Sequence, residues 1–121
     1  MSDLKEFTVY RDLWLRGKGV DESGLLTPGG MCCLGFACHA AGVPMGQLLG
    51  RSLPVNLGEE DPGIISHIPA RQIAKRNDRR GDNAEREADL CRLFAAQGIT
   101  VHFEDKAPEE LRRAYLEVLG G

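Results

Sequence analysis

The sequence has no long apolar run. Nowhere do uninterrupted apolar residues approach the roughly 20 that a membrane-spanning helix needs. The N-terminal stretch "MSDLKEFTVYRDLW" spreads acids and bases through itself and has no apolar core of the kind a secretory signal carries. Together these absences predict a cytoplasmic protein without a membrane partner. Strong charge of either sign is also missing. A net charge of −3 argues against general nucleic-acid binding, and it is too mild for the acidic surface of a DNA mimic. There is no internal repeat and no disorder-like composition. There is no P-loop, no G-x-G-x-x-G fingerprint and no catalytic serine motif. What remains is a chain of 121 residues, 42% hydrophobic and 27% charged, which fits one domain spanning residues 1–121.

The stretch "GGMCCLGFACHAAG", residues 29–42, concentrates three of the four cysteines. In a reducing compartment these are thiols rather than disulfides. No charged residue occurs from Met31 to Ala41, and Gly42 and Pro44 stop the segment. That pattern predicts a buried helix over 31–41, apolar all round, with its cysteines serving as small packing residues. A second reading makes Cys32 a nucleophile, because a helix N-terminus lowers a thiol pKa. His67 would be its distant base, with His102 the other candidate. A metal site fits poorly. The spacing C-C-x4-C-H matches no usual zinc pattern, and neighbouring helical residues diverge by roughly 100°. Neither a metal nor a cofactor is expected.

Along the chain, Asp3 with Glu6 forms a capping-box pattern, and Phe7, Tyr10, Leu13 and Trp14 recur at helical spacing. These predict a helix from Asp3 to Arg16. Leu25 to Thr27 reads as a short strand running into a Pro28-Gly29-Gly30 turn. The proline- and glycine-rich middle, residues 45–72, reads as irregular, with a helical turn over Pro69–Arg76. Asp82 with Glu85 is a second capping box. It opens a helix over Ala84–Gln97 with Ala84, Ala88, Cys91 and Ala95 on one face, widened by Leu90 and Phe94. Gly98 is placed to end it. "ITVHFE" alternates as a half-buried strand. Pro108 then starts a last amphipathic helix bearing Leu111, Ala114, Tyr115, Val118 and Leu119. The sum is a small α+β domain of about four helices and two or three short strands.

The densest polar cluster is "AKRNDRRGDN", residues 74–83. Arginines around a fixed Asn/Asp pair suit a phosphate-bearing or purine-like ligand. Arg76 and Arg79 would grip phosphate, Asn77 and Asp78 would hydrogen-bond base or ribose, and Arg16 would join from the "RGKG" stretch. The competing reading is a solvated helix end whose Asn and Asp bond their own backbone.

Read in order, "WLRGKG", "LL", a glycine turn into "MCCLGF", then "RNDRR" and "EREADLCRLFAAQGITVHFED" resemble a group of small proteins encoded by bacteriophages and prophages. In these a "CCLG" segment is followed by an "ND" turn before a helix. The resemblance covers roughly residues 11–105, and Cys32-Cys33-Leu34-Gly35 is its most specific piece. It implies a setting more than a mechanism: a phage accessory protein in the bacterial host cytoplasm. Such proteins often counter host defences by gripping a host defence protein or sequestering a small nucleotide. The leading expectation is therefore a binding protein of that kind. A cysteine hydrolase or transferase using Cys32 and His67 is the second, and a structural or assembly component the third. A homodimer could form through Leu111, Tyr115 and Val118.

Overall fold

A computed structural model describes residues 4–15, 25–49, 67–78 and 82–120, without the side chains of His67, Ile68 and Asp78. Its elements in chain order are β1 (Glu6–Tyr10), α1 (Cys33–Ala40), a single 3₁₀ turn (Met45–Gln47), α2 (His67–Asp78), α3 (Asn83–Ala95), β2 (Thr100–Glu104) and α4 (Glu109–Val118). The α+β reading holds, with four helices and a two-stranded sheet among the described residues.

The sheet is parallel. β1 pairs with β2 in the register Glu6 to Thr100 through Tyr10 to Glu104. This corrects the helix expected over Asp3–Arg16. "EFTVY" holds a β-branched pair beside aromatics, and Phe7 and Val9 alternate with more exposed neighbours, so period two describes it as well as period 3.6. The pairing with β2 decides the matter. Beyond β1 the chain continues alongside Met31: Leu15 N–H donates to the Met31 carbonyl and Met31 N–H to the Leu13 carbonyl, each at 2.8 Å. The strand expected at Leu25–Thr27 is reduced to isolated bridges, Leu26 with Leu49 and Thr27 with Gly30.

Successive strand residues point to opposite faces, so β1 meets two different helices. Phe7 makes an edge contact with Phe94 of α3, ring centroids 4.9 Å apart. On the other face Tyr10 meets Phe36 of α1 at 6.1 Å. Helix α1 packs on β1 and α2, while α3 packs on β2 and α2.

Helix α1 is the buried helix expected within 31–41. Residues Cys33 to Cys38 are all buried, and only its last turn, His39 and Ala40, reaches solvent. It sits so deep because Gly35 lets the Leu25 carbonyl approach: a Cβ on Gly35 would lie 1.9 Å from that oxygen.

Helix α3 starts as expected, with the Asp82 carboxylate accepting from Ala84 N–H at 2.9 Å. It also ends as expected: Gly98 takes φ +78° and Ile99 N–H returns to the Phe94 carbonyl, a Schellman closure. Of its expected face, Leu90 and Phe94 are buried but the alanines are not. Arg86, Leu90 and Phe94 face inward, whereas Ala84, Ala88 and Ala95 are exposed and Cys91 is half-buried. A helix gains more by burying leucine and phenylalanine than by burying alanine, so the large residues set its rotation and the alanine stripe turns outward. Helix α2 begins earlier and ends later than the turn expected at Pro69–Arg76, so Asn77 and Asp78 close a helix rather than sit in a loop.

Candidate functional site

The cysteine-rich stretch is mostly interior. Cys32 occupies the cap position before α1 and Cys33 its first turn; with Cys38, all three are 2% exposed or less. None of the four cysteines is in a disulfide. Cys91, half-buried on α3, has its thiol pushed up by burial and then by the nearby Glu87 carboxylate, which opposes thiolate formation at neutral pH. The side chain of His67, the base expected for Cys32, lies outside the described residues. His102 stands on the exposed side of β2, its Nε2 3.2 Å from Glu6 Oε1.

Asn77 unites three pieces that the sequence shows only as separate motifs. Its Oδ1 accepts from the Trp14 indole N–H at 2.7 Å and from the Cys33 backbone N–H at 3.2 Å. Its Nδ2 donates to the Leu15 carbonyl at 3.0 Å. The side chain is fully buried. One amide thus ties the "WL" segment, the first turn of the "CC" helix and the end of α2 together, and it supplies the acceptor that the α1 N-terminus lacks from its own cap.

The expected ligand cluster is only partly in view. Arg76 is turned away from Asn77 and binds Asp89 of α3, Nε to Oδ2 2.6 Å. That hydrogen bond, more than any other contact, holds the Asp89 carboxyl below its usual range; Arg92 also reaches Asp89. Arg16 and Arg79 lie outside the described residues, as does the side chain of Asp78. Arg76 and Asn77 are therefore adjacent in sequence but serve different internal contacts. A second acid–base cluster has no signal in the sequence: Arg11 grips Glu87 through two nitrogens at 2.9 and 2.7 Å, reaches Asp105 at 2.8 Å, and lies 5.7 Å over the Phe103 ring.

The dimer surface expected on the last helix faces inward instead. Leu111 and Tyr115 are buried, and Val118 is half-buried against the core. The Tyr115 hydroxyl donates to the Thr27 carbonyl at 2.6 Å, and burial raises its phenol pKa.

What the surface does offer is a groove between α1 and α4. A cavity of about 480 Å³ is lined by His39, Val43, Pro44, Met45, Ala114, Glu117 and Val118. Another of about 370 Å³ continues towards β1, lined by Thr8, Tyr10, Phe36, Glu110 and Leu111. The two share His39 and Ala114. Sequence reasoning missed this site because its walls are distant in the chain. Desolvation lowers the pKa of His39, so this wall of the groove carries a neutral imidazole near neutral pH.

Among the described residues no group of three or more His, Cys, Asp or Glu is placed to hold a metal, and no helix is long and apolar enough to cross a membrane. No protein-family model, curated protein or solved structure matches the chain.

Proposed function

We propose that the protein acts by binding, as a phage- or prophage-type accessory protein that grips a host defence protein. The observation that carries this reading is the groove between α1 and α4, an open concavity with an apolar floor and a polar rim, the form of a recognition surface. A protein target is favoured over a nucleotide signal, because two of the residues expected to hold a nucleotide, Arg76 and Asn77, are engaged within the fold. The counter-defence setting rests on the resemblance to phage-encoded proteins.

The test is phage plating on otherwise identical bacterial hosts, each carrying one defence system, with and without the protein. Restored plaque numbers on one such host are expected. A panel of hosts on which the protein never alters plating overturns the counter-defence role.

Thiol labelling separates this reading from the cysteine-enzyme one. In the folded protein all four thiols are expected to alkylate slowly at neutral pH. Cys91 should label first, and Cys32, Cys33 and Cys38 only as the chain unfolds. Burial already raises the Cys91 thiol, and the other three are sealed from reagent. Rapid modification of Cys32 alone, read by mass spectrometry of the digested protein, would favour the hydrolase instead.

A further inference from the structure

The groove carries a charge pattern that specifies its occupant more closely. Glu110 and Glu117 stand seven residues apart on α4, about 10 Å at the helical rise, on either side of Ala114 at the groove floor. Both carboxylates are exposed, and among the described residues neither has an ion-pair partner. Several acids elsewhere are matched: Glu87 and Asp105 by Arg11, Asp89 by Arg76 and Arg92, and Asp12 by Arg112. Glu117 is also poorly placed for its own helix. It lies in the last turn of α4, which has no basic residue, where the helix dipole disfavours a negative charge. Opposite stands His39, kept from charging near neutral pH by desolvation, so the groove wall supplies no internal cation to offset the two glutamates.

We infer that the groove between α1 and α4 takes an apolar polypeptide segment of the partner that carries two basic side chains about 10 Å apart, one for Glu110 and one for Glu117. In a polyproline II segment every third residue returns to the same face, about 9 Å further on, so that spacing is three residues. The apolar side chains between them would settle over Ala114, towards Val43 and Met45. This inference rests on the binding function proposed above and adds the chemistry of the partner.

The probe is a fluorescein-labelled peptide of about twelve residues, leucine and proline with two arginines three apart, read by fluorescence anisotropy at low salt. Its counterpart has glutamates for the arginines. The wild-type protein is expected to bind the basic peptide and not the acidic one. The pair Glu110→Gln and Glu117→Gln should weaken binding about two- to thirtyfold, the range for two solvent-exposed ion pairs. Ala114→Trp, which fills the floor, should weaken it further. Glu85→Gln with Glu104→Gln, two exposed acids outside the groove lining, should leave binding unchanged, and circular dichroism verifies that each variant is folded.

The inference is overturned if neither peptide binds, if both bind alike, or if the control pair weakens binding as much as the groove pair. A wild-type dimer that Ala114→Trp converts to monomer would overturn it in favour of a second copy as occupant. The plating assay separates the two levels. A glutamine pair that loses the peptide but still restores plating removes the groove and leaves the binding function standing. Failure to affect plating, with peptide binding intact, does the reverse.

Discussion

Gly35→Ala is expected to cost about 3 kcal/mol or more, the upper range for forcing an extra methyl into a filled interior. The added Cβ would meet the Leu25 carbonyl oxygen at 1.9 Å, its carbon at 2.9 Å and the Leu25 Cα at 3.3 Å. These are backbone atoms, so no side-chain rotation can relieve the contact. Nor can the segment retreat freely, because Leu25 and Leu26 are both fully buried. Either α1 moves away from the rest of the core or the 25–26 segment is displaced, and both outcomes break packing around the most buried helix. Against the 5–15 kcal/mol typical of a whole domain, this is a large fraction. Thermal unfolding followed by circular dichroism should show the midpoint lowered by about 10 °C or more. Gly46→Ala is the control: nothing lies within 4 Å of a Cβ there, and the change should be close to neutral. Equal midpoints for Gly35→Ala and wild type would mean that α1 does not pack on Leu25 as described.

The second large effect is expected at Asn77. Replacing it by Ala removes the acceptor shared by Trp14 and Cys33 and the donor to Leu15, at a fully buried position. Buried polar groups deprived of a partner cost about 1–3 kcal/mol each, so a loss of roughly 3 kcal/mol or more is expected in urea unfolding. Asn77→Asp sharpens the test. The carboxylate keeps the acceptor side but cannot donate to the Leu15 carbonyl, and it places a charge in the interior. Its folded-state pKa is therefore raised above the unfolded value of about 3.9. Between those two values the folded form binds more protons than the unfolded one, so stability falls as pH rises through that window. Relative to wild type, Asn77→Asp should recover stability on acidification, while Asn77→Ala should not. A pH-independent difference between Asn77→Asp and wild type would show that the carboxylate is no costlier at this position than in the unfolded chain.

These two positions also show where sequence reading succeeds and where it stops. The apolar run at 31–41, the Asp82 cap, the Gly98 closure and the alternation of "ITVHFE" are local signals, and each corresponds to the element it suggests. The first strand is not legible locally because its partner β2 lies more than ninety residues away, and nothing within "EFTVY" distinguishes one period from the other. Asn77 looked like a ligand residue because its surroundings in sequence are basic. Its actual partners lie 44, 62 and 63 residues away, and only the folded chain brings them near. The groove was invisible for the same reason: His39 and Ala114 belong to helices separated by most of the chain. Spacing reports the turn of a helix well, but it does not report which distant surface the turn will meet.

The parallel pairing of β1 with β2 sets an order of events during synthesis. The ribosome releases Phe7 and Val9 more than ninety residues ahead of Val101 and Phe103, with which they pair. Until then β1 has no ladder to join, and its apolar side chains wait in a nascent chain that cannot close its sheet. Such long-range pairing makes folding slow relative to helix formation. A transcript truncated anywhere before β2 would therefore yield no partial sheet, and its product would leave the ribosome as a substrate for chaperones and proteases.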